Sequence, residues 1–193
     1  TFYGYRSGRE ITTGDWNTAI GSSALYTSTT ASSNTAIGHN TLFSNTTGHT
    51  NTAIGRSASF ANTTGYENVA IGYTALSSNT TGTENVAVGN EALRDSITAS
   101  ANTAIGHESL ANCTDGSNNT AVGRWSLNDL TTGSSNVAIG AETLEKLTTA
   151  SENVGIGYQA GENLTTGNHN IAIGSEALSV ATTASANTAI GHN

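Results

Sequence analysis

Residues 51–55 read Asn51-Thr52-Ala53-Ile54-Gly55, and the same pattern returns 17 residues later as Asn68-Val69-Ala70-Ile71-Gly72. The pattern Asn-[Thr/Val/Ile]-[Ala/Gly]-[Ile/Val]-Gly occurs eleven times at this step, without an insertion or a deletion. Its first residues are Asn17, Asn34, Asn51, Asn68, Asn85, Asn102, Asn119, Asn136, Asn153, Asn170 and Asn187. A fixed step of this kind is typical of a repeat protein in which each unit stacks on the next.

The three residues after each Asn predict a short strand. Side chains alternate between the two faces of a strand, so Thr52 and Ile54 share one face and Ala53 takes the other. A Gly then ends the strand in every unit, which predicts a backbone with positive φ or a turn without room for a side chain. These turn residues are Gly21, Gly38, Gly55, Gly72, Gly89, Gly106, Gly123, Gly140, Gly157, Gly174 and Gly191, and Gly4 is in the same register.

A second apolar position follows each of these glycines by four residues. It holds Leu25, Leu42, Leu76, Leu93, Leu110, Leu127, Leu144 and Leu178, with Ser59 and Gly161 as exceptions. We interpret it as a second inward-facing strand. The unit closes on Thr-Thr-[Gly/Ala], and since Ala31 and Ala99 can replace Gly there, this corner is predicted to need a small residue rather than a positive φ.

These features predict an all-β fold, a parallel β-solenoid or β-roll of 17-residue coils. Helices are disfavoured because Gly, Asn, Thr and Ser fill every window, and antiparallel hairpins give no reason for a strict step. The prediction covers residues 1–193 as one repeat domain of about eleven coils, a rod on the order of 50 Å long at ~4.8 Å per coil. The leading Asn residues are expected to form an amide ladder along the rod.

Composition excludes several functions. The chain of 193 residues has a formal charge of −8 and only six basic residues, so it offers no basic surface for nucleic acid. No apolar run is long enough to span a bilayer, so no membrane contact is expected within this segment. The single Cys113 cannot form an intrachain disulfide. The absence of Met and the repeat pattern at both ends lead us to expect a fragment of a longer fibre.

Each coil has few inward apolar side chains, which predicts that the chain associates with copies of itself. The Ala row on one strand face would let backbones approach closely around a shared axis. That geometry suits three chains better than two, so we expect a homotrimer with the Ala face as the contact.

The string Asn-Thr-Ala-Ile-Gly-x-x-Ala-Leu, with Asn-Thr-Thr-Gly between copies as at Asn45-Thr46-Thr47-Gly48, resembles the head repeats of trimeric autotransporter adhesins of the YadA type. It is equally similar to the repeat shafts of bacteriophage tail fibres. The resemblance covers essentially the whole chain and implies a homotrimer of left-handed β-rolls, displayed outside the cell, at a cell surface or on a virion. Adhesin heads commonly have shorter units and Ser where this chain has Asn, so both families stay open.

No catalytic or metal-binding set, and no cofactor site, is predicted, because catalysis needs unlike groups that converge on one pocket. Glu91, Glu108, Glu142 and Glu176 share one position in their coils, which indicates a solvated edge more than a cation site. His39, His107 and His192 also share a position, but His39 and His107 are four coils apart, roughly 19 Å at the coil spacing, too far to bind one metal.

Four aromatic residues are candidates for surface binding because exposed Trp and Tyr often anchor partners or sugars. They are Trp16, Tyr73, Trp125 and Tyr158. For each of them, packing against the neighbouring coil is the alternative role. A host-surface glycan or a matrix protein would be the partner.

The sequence therefore predicts a non-enzymatic segment of a surface fibre that mediates attachment or acts as a rigid spacer. An ice-binding Thr-rich β-solenoid is the alternative function. That role requires regular outward Thr pairs on one face, whereas the adjacent threonines of the Thr-Thr corner point in different directions.

Overall fold

A computed structural model describes residues 1–192 as one parallel sheet of twelve short strands. The strands are β1 Phe2–Tyr3, β2 Thr18–Ile20, β3 Thr35–Ile37, β4 Thr52–Ile54, β5 Val69–Ile71, β6 Val86–Val88, β7 Thr103–Ile105, β8 Thr120–Val122, β9 Val137–Ile139, β10 Val154–Ile156, β11 Ile171–Ile173 and β12 Thr188–Ile190. Their spatial order is the chain order.

Each strand pairs with the strand one coil away, in the register of the sequence repeat. Thr52 lies opposite Val69, Ala53 opposite Ala70 and Ile54 opposite Ile71. Because the pairing is parallel and the step is always 17 residues, every coil has the same length. The all-β parallel solenoid predicted from the repeat is confirmed.

The Gly that follows each strand adopts a positive φ, as the sequence predicts. Gly55 has a φ of 130°, a value that L-residues with a side chain rarely adopt. A Cβ on Gly55 would also lie 2.3 Å from the carbonyl oxygen of Gly72 in the next coil. Both the backbone conformation and the close approach of the coils therefore require glycine here.

The prediction of a second strand at the Leu position is wrong. Leu25, Leu42 and Leu76 have φ values of 53°, 49° and 53°, so the segment is a turn in the left-handed region and not an extended strand. It still bonds from coil to coil, since the N–H of Leu25 donates to the carbonyl of Thr41 at 2.9 Å. The left-handed turn aims each Leu inward, and the leucines from Leu25 to Leu144 are fully buried.

The predicted orientation of the strand is also wrong. Ala19, Ala53 and the other alanines of the Ala row, from Ala19 to Ala172, are buried inside a single chain, so they are not available to other copies. The coil is narrow, and only a small side chain fits on the inner strand face beside the Leu. The bulkier Thr, Val and Ile residues consequently face outward.

The coil from Asn153 to His169 shows how tightly these inner positions are coupled. Gly155 replaces the strand Ala and Gly161 replaces the Leu. Leu144 of the preceding coil fills the space, since a Cβ on Gly155 would lie 2.9 Å from its Cγ and a Cβ on Gly161 would lie 2.7 Å from its Cδ2. One large side chain thus serves two coils.

Candidate functional site

The leading asparagines form a buried ladder along the rod. The backbone N–H of Asn34 donates to Oδ1 of Asn17 at 2.9 Å, and the same bond recurs at each step to Asn187. The Nδ2 group of Asn34 also donates to the carbonyl of Gly48, at the end of the same coil. Each amide therefore closes its own coil and joins it to the preceding one.

The outer face of the sheet carries two parallel rows. The Thr/Val row contains the first residue of strands β2 to β12, and the Ile row contains the last residue of the same strands. Neither row contains a charged residue. Ile20, Ile54, Ile105, Ile139 and Ile156 are each 36–42% exposed. The outer face is thus a continuous uncharged stripe with isoleucine along one side.

A third row, which we call the corner row, lies inside the rod before the Thr-Thr corner and changes character along the chain. It contains Ile11, Ser28, Asn45, Asn62, Asn79, Ser96, Cys113, Leu130, Leu147, Leu164 and Ala181. The Nδ2 group of Asn62 donates to Oδ1 of Asn45 at 2.9 Å, and that of Asn79 donates to Oδ1 of Asn62 at 2.8 Å. The leucines that follow are fully buried in the same place.

The structure does not bring the four predicted aromatic residues together. Trp16 is 86% exposed near the N-terminal end, whereas Trp125 is partly buried under the guanidinium of Arg124, 4.2 Å from its ring. Tyr73 and Tyr158 are half-exposed but five coils apart, roughly 24 Å at the coil spacing. Arg56 lies 5.8 Å from the ring of Tyr73. These residues occupy separate places on the rod.

The predicted Glu row lies partly within local ion pairs. Glu142, with a side chain only 12% exposed, pairs with Arg124 and accepts a hydrogen bond from Nε2 of Gln159 at 2.8 Å. Glu91 pairs with Arg94 at 2.6 Å. Glu108 lies 3.4 Å from His107. Within residues 1–192, no group of three or more His, Cys, Asp or Glu side chains is placed to hold a metal ion.

The acidic residues of three successive coils influence one another. Burial raises the pKa of the Glu145 carboxyl above its usual range, and the charges of Glu142 and Glu162 raise it further. The charge of Glu142 likewise raises the pKa of the Tyr158 hydroxyl. Lys146 partly offsets this negative charge through its contact with Glu162 at 3.3 Å. This region holds paired charge on a solvated surface.

Sequence reasoning missed an aromatic row on another side of the coil. It begins with Arg9, whose guanidinium lies 5.7 Å from the ring of Tyr26. The rings of Tyr26 and Phe43 stack at 5.0 Å, and those of Phe43 and Phe60 stack at 5.3 Å. These residues are 17 apart, so aligning the coils reveals the row at once.

The aromatic row ends at a slot. Ser77 occupies the next position after Phe60, and no ring covers the second face of Phe60. A groove of about 680 Å³ opens there, between Phe60 and Ile97, each of which is exposed. Small residues from three coils, among them Ser57, Ser77 and Ser78, line it. The volume is within the range of small-molecule sites, roughly 300–1,000 Å³.

Comparisons with protein-family models, with curated proteins and with solved structures found no match for this chain. Among residues 1–192, no helix has the length and apolar character that a membrane crossing requires.

Proposed function

We propose that this chain is a non-catalytic segment of a fibre displayed outside the cell, on a cell or virion surface, and that it associates as a homotrimer. The uncharged stripe on the outer face of the sheet carries the proposal. Exposed apolar patches that run the length of a protein mark sites of association, since water contact with them is unfavourable. The interior of the coil is already filled, so copies associate through the Thr/Val and Ile rows.

The number of chains and the biological setting rest on the sequence resemblance. Both the YadA-type adhesin heads and the tail-fibre shafts that the repeat resembles imply three chains with left-handed coils. The outer face takes the place of the Ala row as the contact in this proposal. Strands of equal length in fixed register give each chain a straight surface, which suits side-by-side packing along the whole rod.

Light scattering on the purified chain tests the association. A homotrimer has three times the 19.6 kDa of the chain. Ile105→Glu, in the middle of the Ile row, is expected to lower the mass because it places a charge in the contact. Thr132→Glu, at an exposed Thr-Thr corner, is the matched control and should leave the mass unchanged. A monomeric wild-type chain would rule out the trimer and leave the solenoid intact.

The same face supports ice binding as a second candidate function. Thr18, Thr35 and Thr52 lie in register on adjacent strands and alternate with outward isoleucines, a regular surface of the kind that role requires. The Thr-Thr corners fit less well, since the hydroxyls of Thr46 and Thr63 donate to carbonyls of the next coil. Thermal hysteresis of the purified chain distinguishes the functions: a clear positive with a monomeric mass favours ice binding over the fibre.

A further inference from the structure

We propose that the slot between Phe60 and Ile97 binds one neutral pyranose ring, stacked on the open face of Phe60. This inference deepens the attachment role proposed above and rests on it. It depends on three observations: the thickness of the slot, the character of its walls and the absence of charge in its lining.

The aromatic row sets the thickness of the slot. Tyr26, Phe43 and Phe60 stack at 5.0 and 5.3 Å, close to the coil spacing of ~4.8 Å. Ser77 leaves the next place in this stack empty. The following side chain in the row, Arg94, turns away to bond Asp95, Glu91 and Asn112. The gap therefore has room for one flat ring against Phe60.

The walls indicate a ring with an apolar face and a polar edge. The π-face of Phe60 attracts polarised C–H bonds, such as those on one face of a pyranose. Hydroxyl groups of Ser57, Ser77 and Ser78 surround the platform and can donate to or accept from sugar hydroxyls. The Oγ atom of Ser77 donates to the carbonyl of Arg94 at 3.3 Å and retains lone pairs to accept a hydrogen bond.

The lining selects against charged ligands. None of the residues that line the slot is ionisable, and most of them carry a hydroxyl or an amide. A sialic or uronic acid would bring a carboxylate without a cation among those residues. A neutral hexose satisfies the hydroxyls and covers the ring. A phenyl group would cover the ring but would leave the hydroxyls without ligand partners.

The experiment is NMR of the whole chain with selectively labelled phenylalanine, which gives few signals because the chain contains only three Phe residues. The probes are methyl β-D-galactopyranoside and methyl β-D-glucopyranoside at millimolar concentration, with p-cresol as a ring without a sugar's hydroxyls. We expect at least one glycoside to shift the Phe60 ring signals in a saturable manner and to leave those of Phe2 unchanged.

Two variants locate the binding. Ser77→Phe fills the slot with the next ring of the stack and should abolish the glycoside shift while keeping the thermal midpoint at or above that of the wild type. Phe60→Leu keeps apolar volume, removes the flat platform and should weaken binding at least tenfold. Ser179→Phe makes the same change at the same coil position, away from the aromatic row, and should bind like the wild type.

The proposal is overturned if neither glycoside shifts the Phe60 signals, if p-cresol binds and the glycosides do not, or if Ser77→Phe binds as well as the wild type. The mass of the protein by light scattering is measured on the same samples. A trimer that binds no sugar contradicts the slot alone, whereas a monomer that binds sugar contradicts the trimer alone.

Discussion

The two halves of the corner row place opposite chemistry at the same position of the coil. In the N-terminal half, Asn45, Asn62 and Asn79 are fully buried and bond amide to amide. In the C-terminal half, Leu130, Leu147 and Leu164 are fully buried at the same point and make only apolar contacts. The backbone of the coils is the same in both halves.

This difference shows that the solenoid interior selects for agreement between successive coils more than for apolarity. A buried amide is costly unless its donors and acceptors are paired, and stacking identical residues supplies the partner. Leucine needs no partner but needs close-packed neighbours. The transition runs through Ser96 and Cys113, two small residues that suit either side.

The largest effect is expected from Leu147→Asn, which places an amide within the Leu half. The change removes buried apolar volume, and the Oδ1 atom would find no amide donor because both neighbours are leucine. We expect the free energy of unfolding to fall by about 3–5 kcal/mol, measured by urea denaturation at fixed protein concentration. Leu147→Met conserves volume and serves as the control, and an equal loss in both variants would contradict the argument.

The converse change, Asn62→Leu, breaks the Asn half in the middle. Oδ1 of Asn45 loses its donor and Nδ2 of Asn79 loses its acceptor. We expect a loss of about 2–3 kcal/mol in the free energy of unfolding. Replacing Asn45, Asn62 and Asn79 by Leu together should recover much of this loss, since no amide is then left unpaired. Additive losses in the triple variant would show that the ladder is not the cause.

Cys113, at the junction of the halves, makes stability depend on alkaline pH. Burial raises the pKa of its thiol from 9.0 to about 11. The folded state therefore resists ionisation, and the stability that this provides is complete below pH 9 and is lost as the pH rises from 9 to 11. We expect wild type to lose about 2 kcal/mol more than Cys113→Ser over this range, by urea denaturation at each pH. Parallel pH profiles would refute this.

The smallest effect extends the Asn half by one coil. Oδ1 of Asn79 and Oγ of Ser96 are both buried without a hydrogen-bond partner. Ser96→Asn would give Asn79 the donor that it lacks, in the manner of the preceding steps. We expect a gain of about 1 kcal/mol and a higher thermal midpoint. Ser96→Ala removes the hydroxyl without supplying a donor, so a similar gain in that variant would attribute the effect to Ser96 alone.

The repeat step and the glycine turn are readable from the sequence because each has one physical cause. A constant 17-residue period requires stacking in register, and an unvarying Gly such as Gly55 marks a backbone that no other residue adopts at low cost. The Asn ladder follows from the same step, since a polar residue repeated at a buried position needs its neighbour as a partner.

The orientation of the strand and the Leu turn are not readable in this way. Alternation separates Ala53 from Thr52 and Ile54 but does not say which face is inside, and burying the bulkier residues is the ordinary expectation. Leu42 at a φ of 49° runs against the usual cost of left-handed backbone for L-residues, so only packing in the whole coil selects it. The aromatic row spans only three coils, too few to stand out from a repeat of eleven.

The coil-to-coil hydrogen bonds have a mechanical consequence. They run along the rod, so a pull on its two ends loads the bonds of one terminal coil before those of the next. A coil that peels away exchanges a rise of ~4.8 Å for an extended segment of roughly 55–60 Å. Under tension the rod would lengthen in equal steps, each releasing 17 residues, and would absorb work while the remaining coils keep their shape.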